Sequence, residues 1–598
     1  MSLGNSLRIG TSGMQLAQLG LGTVSHNIAN INTVGYSRQQ VQTSATSANG
    51  FGNGVQLDSI QRITDRFIAS RQINAGSDTA FATQRRTLME SLENTLSNAG
   101  SQGGLDATVG SFIESLNQAS NEPGNSALKR NVIQQADLLA RTLQDVGGKL
   151  KTIATDADNA ISADLAVTNQ IIKDIYNLNI QITAQGLSSS NGANANDLLD
   201  ARATKINQLA ERFKIQVSEN TSNGGVRITT ENGRKLVDDV SYVQLTRTTG
   251  SPYSAISVQN VKVDGTLDPT LFDINTATLT SGKIKALVDV RDTNVPNLLA
   301  QIDQFTSTLI TQVNRLSSQG SSFPPVRALT SANTTVMSST ASNMFTDLDP
   351  ALANQSFHIS VVDTLGNPVA STINGTAVTI PGLPGPYSLT NLANTINANG
   401  AVSATMTATA LTNSDGRPIL QIQANNPNHR IVLSNNSSGN PLGILGMNNL
   451  FTGTSSTNIA VASGMLNNPD NLPTARMRTT DGGLSSLDNR NITDLAKLAD
   501  TKFSIPAAGG LAAQTATLVG YTTQVAGNLA VQVADAKDRV SFNENLKQQL
   551  DQSLSSIAGV NINEELSQML VYQNSFQASA RIITVVNEML QELVNIIR

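Results

Sequence analysis

At 598 residues the chain is too long for a single hydrophobic core and should divide into several domains. A net charge of −5 argues against general attraction to nucleic acid or anionic membrane, and the absence of cysteine excludes disulfides, thiol catalysis and thiolate metal sites. Charged residues make up 14%, against about 25% in ordinary globular proteins, so Asn, Gln, Ser and Thr must supply much of the surface. The N-terminus lacks a basic region followed by an uninterrupted apolar core, so a cleaved signal peptide is not expected. Nor is membrane insertion, because no run of about 18 apolar residues is present.

The first stretch predicts a helix. Leu3, Leu7, Gly10, Met14, Ala17, Leu21, Val24, Ile28 and Ile31 alternate four and three residues apart, which lines them along one face. Arg8 is the sole charged side chain between Met1 and Gly35, with His26 also titratable. Gly10, Gly13, Gly20 and Gly22 each cost about 1 kcal/mol of helix stability relative to Ala. A lone helix of this kind is marginal in water, yet the same glycines let a second backbone approach closely. Asn30 and Asn32 can bond the backbone and end the helix, and Gly35 supplies positive φ for the turn out. His26 has no second His or Cys nearby, so it reads as a helix residue at the seam rather than a metal ligand.

The middle of the chain is first helical. Leu105 to Leu116 forms a short amphipathic segment closed by Glu122-Pro123-Gly124. Val132, Ala136, Leu139, Leu143, Val146, Leu150, Ile153, Ala157 and Ala160 continue the four-and-three pattern. From Ile161 the stripe shifts by one residue and runs through Leu165, Ile172, Ile175 and Ile182, which predicts one long helix with a slip in its seam. A loop over Ser188 to Asn196 and a returning helix over Leu198 to Phe213 follow. Between Ile215 and Ile274, Asn223-Gly224-Gly225 and Asn232-Gly233 punctuate alternating segments, the pattern of strands and turns. Gly282 to Gly320 returns to helix, with Leu298, Ile302, Phe305, Leu309, Val313 and Leu316 as its stripe after Pro296.

Ser322 to Leu487 is different in kind: it contains no Lys and no Glu. Short β-like runs (Phe357 to Val362, Val402 to Leu411, Ile419 to Ala424, Arg430 to Leu433) alternate with Asn, Asp and Gly turns, and Leu389 to Ile396 predicts a short helix. These runs are apolar enough to pack, so a folded α+β insert is expected rather than disorder. After Asn491 the helices resume, with one stripe over Leu518, Tyr521, Val525, Leu529, Val533, Ala536 and Val540 and another over Leu546, Leu550, Leu554 and Ile557.

The last stretch, Ile562 to Arg598, carries a strict seven-residue row: Met569, Phe576, Ile583, Leu590 and Ile597, with Ile562 extending it backwards. Such a repeat keeps one seam facing a partner helix. The companion row is expected to be Leu566, Gln573, Ala580, Asn587 and Val594, in which Gln573 and Asn587 would weaken the seam but fix register. No Gly or Pro interrupts the segment, so a helix of about 55 Å is expected. The fold class is therefore multidomain. Terminal coiled-coil (1–45 and 560–598) and inner helical-bundle regions (46–321 and 488–559, with a β excursion at 215–281) enclose a nested β-rich α+β insert at 322–487.

Several of these segments also resemble a known family. The stretch Ser25 to Gln39 (SHNIANINTVGYSRQ) resembles the N-terminal motif of bacterial flagellar rod, hook and hook-associated proteins. Its Tyr36-Ser37-Arg38-Gln39 version is similar to the hook-associated protein 1 branch, the first hook–filament junction proteins. Gly52 to Val55, Arg62 to Phe67, Gly559 to Leu566 and Tyr572 to Arg581 resemble further family segments, in the right order. Gly282, Leu287, Arg291, Asp292 and Asn314 resemble the inner helical domain of the junction branch. The familiar residues would be Pro at Val34, Asp at Asn563 and often Tyr at Phe576. The resemblance implies a motif acting in assembly (Asn27, Asn30, Asn32, Gly35, Tyr36, Ser37 and Arg38) and a C-terminal seam acting with it. It implies export as an unfolded chain through the flagellar type III channel, and a ring of about eleven copies. Its implied partners are further copies of itself, the hook protein, the second junction protein and a cytoplasmic export chaperone at the C-terminal helix, with an extracellular location on the flagellum.

Catalytic chemistry is not expected. His26, His358 and His429 are far apart, and no His-Glu-x-x-His is present. The insert's carboxylates, Asp347, Asp349, Asp363, Asp415, Asp470 and Asp481, sit mostly at turn positions. Asp156-Ala157-Asp158 lacks the Gly and Glu of a calcium loop. No cofactor is implied. Two other readings stay open: another flagellar axial subunit (the hook protein or the second junction protein), or an adhesive surface protein acting through the insert.

Overall fold

Apolar periodicity builds long helices in this chain, and Asn/Gly punctuation builds short antiparallel strands. Helix α1 (Leu3–Ala29) leads into a hairpin of β1 (Gln39–Ala48) and β2 (Phe51–Arg62). Four helices follow: α2 (Arg66–Ser97), α3 (Leu105–Asn121), α4 (Ser126–Gln185) and α5 (Gly192–Ala210). A six-stranded antiparallel meander comes next, in sequential order: β3 (Ile215–Glu219), β4 (Val226–Thr230), β5 (Lys235–Val237), β6 (Tyr242–Thr248), β7 (Ala255–Val261) and β8 (Leu267–Asp273). Helix α6 (Lys283–Asp289) passes through a π turn (Val290–Asn294) into α7 (Val295–Ser317), with Pro296 in its first turn. The insert holds β9 (Ala328–Thr330), β10 (Ser356–Val362), β11 (Thr376–Thr379), α8 (Leu389–Ala398), β12 (Met406–Thr412), β13 (Pro418–Ala424) and β14 (Arg430–Asn435). Short elements follow: α9 (Pro441–Ile444), β15 (Phe451–Thr452), β16 (Ala460–Val461), α10 (Ser463–Asn467), α11 (Arg490–Ala496), β17 (Phe503–Ile505) and β18 (Gln514–Ala516). Two long helices, α12 (Leu518–Ala558) and α13 (Ile562–Ile597), close the chain. The structure is a computed structural model that describes residues 3–48, 51–100, 103–185, 192–220, 224–250, 252–262, 264–331, 355–369, 376–379, 389–400, 403–412, 418–435 and 440–597.

Two compact units divide these elements. The first comprises Met1–Leu88, Asp156–Arg291 and Ala534–Arg598. Its core is the inner face of the six-stranded sheet (Ile228, Val243, Leu245, Ile256, Val258) packed on Ile161, Leu165, Ile172 and Ile175 of α4 and on Leu209 and Phe213. Alternation along β4 and β6 places every second side chain inward. Polar groups close the edges of this core. The buried Asn179 amide donates to the Val226 carbonyl at 2.9 Å and accepts from buried Arg202 at 3.0 Å. Burial pushes the Arg202 guanidinium down to about 10. Asp158 accepts from Arg247 at 2.5 Å and from Arg291 at 2.6 Å, and the Arg291 guanidinium lies over the Tyr253 ring.

The second unit comprises Met89–Thr155 and Asp292–Val533. In it Phe305, Leu309 and Val313 of α7 are fully buried, as are Val109, Phe112 and Leu116 of α3 and Leu139 and Leu143 of α4. Phe305 stacks on Tyr521 of α12. The insert forms two three-stranded sheets, β11-β10-β14 and β12-β13-β9, with α8 completing a core of Phe357, Ile359, Leu392, Ile396, Leu420, Ile422, Ile431 and Leu433.

Several expectations meet a different structure. The two stripes after Leu518 belong to one continuous helix, because Ser541 to Glu544 contains neither Gly nor Pro and a shift of stripe does not break a backbone. Helix α5 begins at Gly192, so Asn196 and Asp197 are helical and the expected loop is shorter. Residues 188–191, Asn223, Asp347, Asp349, Val402 and Asp415 lie outside the described residues. The apolar pattern does not announce the hairpin β17–β18, nor the full length of α2, whose buried positions are largely small or polar (Ala75, Ser77, Ala82).

Candidate functional site

The terminal motif begins where α1 runs out of helix. The Asn30 side chain donates to the His26 carbonyl at 3.0 Å and accepts from the Thr33 hydroxyl at 3.0 Å, which ends the helix in a tight turn. Gly35 then takes φ +83°, and a Cβ there would also lie 2.5 Å from the Thr204 hydroxyl, so glycine is required twice over. Asn32 and Val34 are exposed.

Asn27 is the hub. It is 1% exposed. Its amide nitrogen donates to the Gln39 carbonyl and to Glu565, both at 2.9 Å. Its oxygen accepts from the Tyr36 hydroxyl at 2.7 Å and from the Gln39 N–H at 3.0 Å. His26 meets the Tyr36 hydroxyl at 3.1 Å and lies 3.6 Å from Asp197. Burial, with Asp197, Asp200 and Glu565 nearby, raises the Tyr36 hydroxyl well above its ordinary range, so it stays protonated and donates.

Ser37 and Arg38 carry the motif outward in two directions. The Ser37 N–H and hydroxyl both donate to buried Asp200 of α5, at 2.9 and 2.8 Å, and Arg62 of β2 donates to the same carboxylate at 2.6 Å. Arg38 grips the corner between α12 and α13. Its backbone N–H donates to the carbonyl of Ala558 at 2.8 Å. Its guanidinium reaches Glu565 at 2.7 Å and Glu564 at 2.8 Å. Burial alone would lower the Arg38 pKa, but the two carboxylates outweigh it and raise it. Removing one partner of such a buried pair costs about 3–5 kcal/mol, because the other charge is left uncompensated.

From this knot α1 and α13 run side by side in opposite directions. Asn27 meets Glu565, Gly20 faces Tyr572, Gly13 faces Ser579 and Gly10 faces Ile583. A Cβ on Gly20 would fall 2.5 Å from the Tyr572 ring. The glycines that weaken α1 as an isolated helix are thus where α13 comes closest. Met569, Phe576, Ile583 and Leu590 are half-buried, as is Ala580. The companion row differs from the one expected: Gln573 and Asn587 are exposed, while Glu565 and Val586 are buried and Tyr572 and Ser579 face glycines of α1. The seam therefore uses Glu565, Tyr572, Ser579 and Val586. Both candidate rows flank the Met569 row equally in sequence. What selects between them is the surface of α1, where only Gly13 and Gly20 leave room for Tyr572 and Ser579. The Ile597 side chain lies outside the described part. Sequence reasoning missed Glu565, Asp200, Asp197, Arg62 and Gln39 as members of the site. No local sequence signal marks Glu565 or Asp200, because their partners lie far away in the chain.

Among the described residues no cluster of His, Asp and Glu could hold a metal, and no helix is long and apolar enough to cross a membrane. Comparison with known proteins places this architecture. The profile of the flagellar hook-associated protein FlgK helical domain matches residues 89–324, the C-terminal profile of flagellar basal body rod FlgEFG proteins matches 552–596, and that of the flagella basal body rod protein matches 7–36. Flagellar hook-associated protein 1 of Salmonella typhimurium is 26% identical over 611 aligned residues, covering 98% of both chains. The chain is thus similar to flagellar hook-associated protein 1 along nearly its whole length. The Escherichia coli member is 30% identical across 39% of this chain and 43% of its own. The flagellar hook junction protein FlgK of Burkholderia pseudomallei aligns in structure with a TM-score of 0.48 and 13% identity, over 82% of this chain and all of that one. Hook-associated protein 1 family members are structural proteins of the bacterial flagellum, an extracellular appendage, and are not enzymes.

Proposed function

We propose that this chain is the first subunit of the hook–filament junction, assembled as a ring between hook and filament through its terminal helices. The observation that carries the reading is that, among the described residues, α13 packs along α1 on one side and leaves apolar side chains exposed on others. Its Val571, Ile582, Val585, Met589 and Ile596 are 41–78% exposed in the single chain. Contiguous apolar surface of that kind marks an interaction site. Ring closure among identical copies would cover it, at about eleven copies by family analogy. Neighbours along the axis would be the hook protein on one side and the second junction protein on the other. Before export through the type III channel, the same surface would need shielding, which suits a cytoplasmic chaperone holding an amphipathic helix.

On this reading the chain's nested order has a mechanical sense. Residues 1–45 and 560–598 would be the assembling part, 46–321 and 488–559 the helical body, and 322–487 an insert nested in the chain. Deletion of the gene should leave hooks without filaments and release flagellin to the medium, and the full-length gene should restore filaments. Intact filaments on the deletion strain would end the proposal. Phe576→Asp should leave the soluble body folded by circular dichroism while failing to restore filaments.

A further inference from the structure

Seven-residue repeats specify which faces meet but not which repeat meets which, and a seam lined with glycine on one side is especially permissive of sliding. Along the contact the paired numbers move in step: 13 with 579, 20 with 572 and 27 with 565. A shift of one heptad would set Gly13 against Val586 or Ser6 against Ser579 and would leave a seam of similar composition. Something must choose among these registers. At the motif end the seam carries a buried carboxylate, Glu565, 1% exposed, held by Asn27 at 2.9 Å and Arg38 at 2.7 Å. Three hydrogen bonds of Asn27 stay within the motif, to Gln39 and Tyr36, and its remaining amide hydrogen reaches Glu565 in this register. The Arg38 N–H on Ala558 anchors the residue that precedes the α12–α13 corner.

We infer that Asn27, Arg38 and Glu565 form a register lock that selects one antiparallel alignment of α1 on α13, because a shift of α13 takes the Glu565 carboxylate away from Asn27 and Arg38 and leaves one amide hydrogen of Asn27 unmatched. Buried polar groups at seam positions are the best-attested fixers of register. The inference concerns alignment within one chain and does not rest on the junction reading.

The cysteine-free sequence makes the test direct. Three double-cysteine forms of the full-length protein report three registers: Gly13→Cys with Ser579→Cys for the observed one, and Ser6→Cys with Ser579→Cys or Gly13→Cys with Val586→Cys for the two shifted ones. A heptad is about 10.5 Å of helix, and a disulfide tolerates Cα separations of only about 4.4–6.8 Å, so each pair reports its own register. With Glu565 present, only the observed pair should oxidise. Adding Glu565→Leu should raise one shifted pair at least tenfold relative to the observed pair, whereas Glu565→Gln, which still accepts from Asn27, should not. The double change Asn27→Leu with Glu565→Leu removes both polar groups and should spread crosslinking over two registers. A role confined to stability would lower all three yields together. Crosslinking that stays in the observed register in both leucine variants, or that falls in all three pairs, would overturn the lock.

Discussion

Helices α7 and α13 read alike in sequence, each with an unbroken apolar stripe, yet they meet very different surroundings. Of its 23 residues α7 buries twelve, including Leu298, Ile302, Phe305, Leu309 and Val313. Among the described side chains of the 36-residue α13, only Glu565 and Val586 are buried. The stripe on α7 is enclosed within its unit, where Phe305 stacks on Tyr521 and the Asn314 amide donates to the Phe451 carbonyl at 2.8 Å. Among the described residues the stripe on α13 lies along α1, which brings Gly10, Gly13 and Gly20 against it. Periodicity thus identifies a helix and the face it offers. Whether that face is filled depends on the volume its partner brings, and small partners leave the job half done.

The sharpest way to break this contrast is a matched truncation. Phe305→Ala should cost about 3–5 kcal/mol, the usual loss for a fully buried aromatic. Phe576→Ala on half-buried α13 should cost less than half of that in the isolated chain. Urea unfolding followed by circular dichroism measures both. Equal losses would mean that the single chain already encloses α13.

A second test exploits the glycines. Gly20→Leu should destabilise the helix pair by about 1–3 kcal/mol through overpacking against Tyr572. It should be visible as faster amide exchange throughout α13. At Gly22 a Cβ would meet nothing within 4 Å, so Gly22→Leu should leave exchange unchanged or slow it through better helix propensity. If the two substitutions behaved alike, close approach would not be what the α1 glycines provide.

The same contrast explains what could be read in advance. The strands of the meander and four strands of the insert (β10, β12, β13 and β14) followed from Asn/Gly turns and alternation, β9 and β11 did not, and α4 followed from its stripe despite the slip near Ile161. These are local signals with a filled core behind them. Glu565 as the seam's polar anchor did not follow, because Leu566 beside it is apolar and the choice between the two rows is made by Gly13 and Gly20, at the opposite end of the sequence. Asp200 as the receiver of Ser37 and Arg62 was equally invisible: nothing in the sequence around α5 marks it. Local chemistry was legible, and long-range partnership was not.

Acid should separate the regions further. Asp158 is half-buried; burial alone would raise its pKa, but hydrogen bonds and charge from Arg247 and Arg291 lower it below the ordinary carboxylate value. Its contribution is therefore fully present above the unfolded pKa near about 3.9 and is lost as pH falls below that through the depressed folded value. Asp158→Asn should flatten the acid side of the stability profile of the sheet core by about 1 kcal/mol. A profile unchanged between pH 5 and 2, titrated by urea at each pH, would contradict this sign.

The smallest expected effect is the most discriminating for α13 itself. If Gln573 and Asn587 were buried amides within the seam, Leu at either position would stabilise the helix pair and loosen its register. Both side chains are exposed, on the flank that α1 leaves uncovered. Exposed substitutions away from special contacts usually stay within about 0.5 kcal/mol. Gln573→Leu and Asn587→Leu should therefore leave amide exchange in α13 and the Gly13→Cys/Ser579→Cys crosslink unchanged in the single chain. Stabilisation beyond about 1 kcal/mol, or a shifted crosslink, would return these amides to the seam and displace Glu565 from it. On the junction proposal the two leucines would matter only after assembly, where the flank carrying them would meet another surface.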